Sequence, residues 1–104
     1  MKRAVLISII FSTLIFANKN EGKKVFETYC WGCHHQTAMA FGPPFAQIAK
    51  KRSADEIKAM ITDPKDVSKV FGYKRNAMPK LKLTQKELEA ITEYILSFKN
   101  YKEK

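Results

Sequence analysis

An all-α fold, with three main helices joined by short turns and loops, is what this sequence predicts. Three observations carry the prediction. Apolar residues recur at helical spacing near both ends of the chain. Two capping boxes, Ser53-Ala54-Asp55-Glu56 and Thr84-Gln85-Lys86-Glu87, stand ahead of the middle and last helical runs. No stretch alternates apolar and polar residues as a half-buried strand would. At 104 residues the chain makes one domain with a small core. A staple is therefore expected: disulfides, a metal or a large bound cofactor.

Residues 1–17 have the form of a secretory signal peptide. Lys2-Arg3 precede a run from Ala4 to Ala17 that is broken only by Ser8, Ser12 and Thr13. That run is shorter than the ~20 residues a spanning helix needs. Ile15 fits poorly where cleavage prefers a small residue, so an uncleaved N-terminal anchor is the alternative. Both readings put the domain, residues 18–104, outside the cytoplasm.

The first helix is expected over Asn18 to Tyr29, with Gly22, Val25, Phe26 and Tyr29 on one stripe. Gly22 costs helix stability, about 1 kcal/mol relative to alanine, which suggests close approach of another helix. From Cys33 to Arg52 there is little periodicity, and Gly42-Pro43-Pro44-Phe45 predicts an irregular, extended turn. The middle helix begins at the Ser53 cap and ends near Thr62, burying Ile57, Met60 and Ile61, with Asp63-Pro64 as its stop. One further turn, Asp66 to Phe71, is expected to bury Val67, Val70 and Phe71. A second loop, Gly72 to Leu83, comes next. The last helix should run from Gln85 to Lys99, with Leu88, Ile91, Tyr94, Ile95 and Phe98 inward.

Both cysteines lie in Cys30-Trp31-Gly32-Cys33-His34, which reads C-x-x-C-H, a haem attachment pattern. Two thiols three residues apart, on a turn continuing a helix, can each add to one vinyl group of the same haem. The next residue, His34, then lies under the iron as a nitrogen ligand. Other uses of the pair fit less well. A redox C-x-x-C sits at a strand–helix junction, and no strand is predicted. A structural zinc site needs a second ligand pair further along, whereas the remaining histidine, His35, adjoins the motif. With a cofactor in the middle, two long loops become reasonable; in an empty bundle they would be a liability.

From Asn18 onward the chain resembles a class I cytochrome c. Gly22 and Phe26, eight and four residues before Cys30, match that family's N-terminal helix. Ile91, Tyr94 and Ile95 are similar to the aromatic and aliphatic contact that its C-terminal helix makes there. Gly42-Pro43 resembles the turn whose proline carbonyl accepts a bond from the haem histidine, and Met78-Pro79 resembles the distal ligand motif. The resemblance implies a class I fold around one covalent haem, held by Cys30 and Cys33, with His34 proximal, Met78 distal and Pro43 supporting His34. Pro44, which doubles the proline, and His35 depart from the pattern.

The residues themselves offer three methionines past the leader as sixth ligand. Met60 sits at helical spacing, as core methionines do. Met39 comes five residues after His34, too close to reach the opposite face of a haem comfortably. Met78 lies in a loop stiffened by Pro79 and is the choice. Tyr73, Lys74 and Arg75 are within chain reach of the haem propionates, or form a solvated basic turn.

Lys plus Arg number 19 against 10 Asp plus Glu, a formal charge of +9. Losing Lys2 and Arg3 with a leader would leave 17 against 10, or +7. Such a surface keeps a protein soluble and attracts acidic partners. The expected function is one-electron transfer in the periplasm, with no catalytic residues and no nucleic-acid partner. A membrane enters only through an uncleaved leader. By the resemblance, the donor is a quinol-oxidising complex and the acceptor a terminal oxidase or periplasmic reductase. The competing readings are a cytochrome subunit of a larger oxidoreductase, such as a sulfur-compound dehydrogenase, and, more weakly, a gas sensor or peroxidase.

Overall fold

The computed structural model describes residues 19–102. The expected leader, residues 1–17, lies outside the described residues. Five helices and, among the described residues, no strand make up the domain: α1 (Lys19–Val25), α2 (Phe45–Lys51), α3 (Ala54–Thr62), α4 (Pro64–Val70) and α5 (Gln85–Leu96). The chain leaves α1 through a π-helical turn, Phe26–Cys30, before the cysteine motif ends.

Packing radiates from α5. Helix α1 lies chiefly across it, α2 and α3 rest on it too, and α4 reaches the core by way of α3. The α1–α5 crossing is close because Gly22 has no side chain. A Cβ there would fall 2.5 Å from Tyr94 Cβ and 2.6 Å from the Ala90 carbonyl oxygen. Around the crossing, Phe26, Phe45, Ile91, Tyr94 and Ile95 form a contiguous core with Val25, Ala49, Ile57 and Ile61. Its rings meet edge-on or tilted: Phe26 lies 5.2 Å from Phe45 and 5.8 Å from Tyr94. Full burial of each such side chain contributes about 1.5–3 kcal/mol, so a few residues carry much of the fold.

Both capping boxes close reciprocally. Ser53 Oγ and Thr84 Oγ1 accept from the backbone N–H of Glu56 and Glu87, whose carboxylates accept from the caps' own N–H groups. Several boundaries differ from expectation. The stretch between Cys33 and Arg52 contains a helix, α2, too short to show periodicity over more than Phe45, Ile48 and Ala49. Pro64 opens α4 at its first position, where the missing N–H costs nothing, besides ending α3. Tyr29 and Val70 are exposed, Val70 by 82%. Helix α4 packs chiefly on α3, and Val70 lies on its solvent side. The final helix stops at Leu96, and turns carry the chain through Lys99.

Candidate functional site

The π-helical turn sets the site up. Trp31 N–H donates to the Phe26 carbonyl at 2.9 Å, five residues back instead of four. The extra residue re-aims the cysteine turn, and such wide turns cluster at functional sites. Phe26 stays in the core while Cys30 is brought to its edge. A tight turn comes next, with Cys33 N–H and His34 N–H both donating to the Cys30 carbonyl, at 3.1 and 3.0 Å. Cys33 is exposed and Cys30 half-buried. Burial, and then the neighbouring Cys33, push the Cys30 thiol up to about 11. A redox-active C-x-x-C needs a thiol pushed down, so the electrostatics run against that reading. Among the described residues, no three His, Cys, Asp or Glu side chains gather as a metal cluster.

His34 is held from three sides. Its Nδ1 lies 2.7 Å from the Pro43 carbonyl oxygen. A carbonyl only accepts, so Nδ1 carries a proton, and in the neutral ring that leaves the lone pair on Nε2, the tautomer a metal-binding imidazole needs. Gly42 supplies a flat wall: a Cβ there would fall 2.5 Å from His34 Cε1 and 2.9 Å from Nδ1. The Gly42 N–H donates back to the Cys33 carbonyl at 2.6 Å, closing the loop on the motif. On another side the Phe45 ring stacks on the imidazole, with centroids 5.6 Å apart. Helix α2 is tied to the same segment, since Phe45 N–H and Ala46 N–H donate to the His35 and Gln36 carbonyls, both at 2.9 Å. Gln36 then reaches α5 through the Tyr94 hydroxyl at 3.3 Å.

The methionines separate clearly. Met39 is 69% exposed and Met60 half-buried on α3. Met78 is half-buried and packs against the core cluster whose edge Cys30 also occupies. His34 joins the cluster through Phe45, so Cys30, His34 and Met78 all meet one group of side chains. The loop carrying Met78 is anchored at both ends. Leu81 N–H donates to the Ile61 carbonyl at 3.4 Å. At the other end the Arg52 guanidinium lies 3.5 Å over the Phe71 ring and donates to the Tyr73 hydroxyl at 3.2 Å. Lys74 and Arg75 are exposed.

Further side chains belong to this arrangement that the sequence did not assign to it. Asn76 bonds the main chain of Met78, with Oδ1 accepting from its N–H at 3.2 Å. Arg52 spans α2 and the Met78 loop. Its Nε–H is buried and, among the described residues, unpartnered, a donor suited to a carboxylate. Phe41 is 90% exposed and Trp31, within the motif, 60%. Only Asn76 had a local signal, as an Asn two residues ahead of a loop position.

The family model described as Cytochrome c matches residues 20–99. Among solved structures, the chain is similar to a cytochrome c from Rhodothermus marinus, with a TM-score of 0.64 and 20% sequence identity over 88% of this chain and 89% of that one. Comparison with curated protein sequences returns no match.

Proposed function

The chain belongs to the cytochrome c family, and from that premise we propose that it is a one-electron carrier of a bacterial-type respiratory chain, working in the periplasm. Family membership brings one covalently bound c-type haem, whose iron supplies a ferric/ferrous couple. The residues present suit that group. Cys30 and Cys33 would hold it through thioethers, His34 through Nε2 and Met78 through its sulfur. Pro43 would orient His34 by accepting from Nδ1. Arg52 Nε–H and the Tyr73 hydroxyl are candidate partners for a haem carboxylate. The observation that carries the assignment is the 2.7 Å bond from His34 to Pro43. It engages Nδ1 with the protein and leaves Nε2 as the nitrogen through which His34 would hold iron.

Two protein ligands on the iron would leave no coordination position for a substrate, which favours a carrier over an enzyme, sensor or peroxidase. With His34 and Met78 as ligands, the thioether would stabilise ferrous iron better than a second imidazole and would raise the potential. The chain's excess of lysine would steer acidic partners, with a strong dependence on salt. A quinol-oxidising complex as donor, and a terminal oxidase or periplasmic reductase as acceptor, suit that chemistry.

A visible spectrum with redox titration of the haem-loaded protein tests the reading. Met78→Ala should give a high-spin ferric form and a lower potential, whereas Met39→Ala should leave both nearly unchanged. A high-spin shift from Met39→Ala instead would overturn the ligand assignment.

A second reading is a cytochrome subunit docked on a larger periplasmic oxidoreductase such as a sulfur-compound dehydrogenase, which could cover the exposed Trp31, Met39 and Phe41. A subunit that stays with the native protein through chromatography would select it over the free carrier.

A further inference from the structure

Met78 lies in a stretch without helix or strand, between the anchors at Tyr73 and Leu81. The hydrogen bonds at those anchors do not reach Met78 itself. One side chain does so at both ends of the residue: Asn76 Oδ1 accepts from Met78 N–H at 3.2 Å, and Asn76 Nδ2 donates to the Met78 carbonyl at 3.4 Å. Pro79 restricts Met78 to extended backbone from the following side. We propose that Asn76 is a positioning residue that presents Met78 to the iron, by clamping the main chain from which that side chain projects. This rests on Met78 being the distal ligand.

The physical case is one of entropy. A methionine side chain has three rotatable bonds and no branch, so its sulfur is directed only as well as its backbone is fixed. An amide supplies donor and acceptor in one rigid plane, which matches the N–H and C=O of a single residue. Without the clamp, Met78 loses more freedom on ligation, and the balance shifts toward the form in which the sulfur is away from the iron. A small external ligand competing for that position then binds more tightly, because less of the protein stands against it.

Imidazole binding to the ferric, haem-loaded protein reads this balance directly. Asn76→Ala and Asn76→Leu are expected to raise apparent imidazole affinity roughly three- to tenfold, the weight of one or two net hydrogen bonds. Asn76→Asp keeps the acceptor for Met78 N–H and should recover most of the wild-type value. A general loosening of the fold would not be reversed by that one atom. Affinity within twofold of wild type in whichever of the alanine and leucine variants matures overturns the proposal. So does an aspartate variant whose imidazole affinity is raised as much as theirs. Met78→Ala, run in parallel, separates the two claims. If its spectrum stays like wild type, the ligand reading fails. If it turns high-spin while the Asn76 variants bind imidazole as wild type does, only the role of Asn76 falls.

Discussion

At Gly42 a side chain has nowhere to go. The added methyl of alanine would sit 2.5 Å from His34 Cε1, and the imidazole cannot turn aside without giving up its 2.7 Å bond to Pro43. Overpacking of this kind costs about 1–3 kcal/mol. Gly42→Ala should therefore lower the urea midpoint of the haem-loaded protein by a corresponding amount and, on the proposed ligation by His34, perturb its spectrum. An unaltered midpoint and spectrum would mean that the loop yields freely. From the chain alone, Gly42-Pro43 reads as a turn, and its partner histidine emerges only through family resemblance. The flush contact between the Gly42 backbone and the ring depends on how nine residues of loop close, which no local rule specifies.

At the level of elements, the crossing of α1 on α5 opposes two effects of known size. Alanine is a better helix former than glycine by about 1 kcal/mol, so Gly22→Ala would stabilise an isolated helix. In the protein its Cβ would meet both Tyr94 Cβ and the Ala90 carbonyl at under 3 Å, and the carbonyl belongs to helix backbone that cannot swing away. The steric cost, about 1–3 kcal/mol, exceeds the propensity gain. Gly22→Ala should thus be destabilising in thermal unfolding; a rise in Tm would show that the helices separate easily. The helical stripe and the glycine within it are readable in sequence, as are both capping boxes, because each involves residues within one or two turns. The π-helical turn is not. It arises where the stripe must keep Phe26 in the core and still deliver Cys30 to its edge, a demand set by the partner helices. Helix α2 is hidden for a similar reason: seven residues give too short a period, and its hold on the His35 and Gln36 carbonyls is tertiary.

Across the whole molecule, the middle and last helices are joined by a polar link as well as by the core. Lys58 on α3 donates to the Glu89 carboxylate on α5 at 2.8 Å. That hydrogen bond holds the Glu89 carboxyl below its ordinary range, helped by the Lys58 charge and Gln85 against some desolvation. A carboxyl whose folded pKa is depressed stabilises the fold in full above its ordinary pKa. The contribution is lost as pH falls through the depressed value. Glu89→Gln should melt below wild type at neutral pH and low salt, and the gap should close in acid. A gap that is constant with pH would show that the charge of Glu89 is immaterial. Since the pair is partly exposed, added salt should narrow the gap as well.

The chemistry confined to a few neighbouring residues was legible from the outset: C-x-x-C-H spacing, helix caps and the inward stripe of α5. Each depends on geometry that adjacent residues impose on one another whatever the rest of the chain does. The packing of Met78 on the core while Met39 faces solvent, the reach of Arg52 from α2 to Phe71 and Tyr73, and the fit of Gly22 against Tyr94 are of another kind. They bring together residues 19 to 72 positions apart in the chain. Such pairings follow from how the core closes, because burying Phe26, Phe45 and Tyr94 together leaves the loops few ways to run.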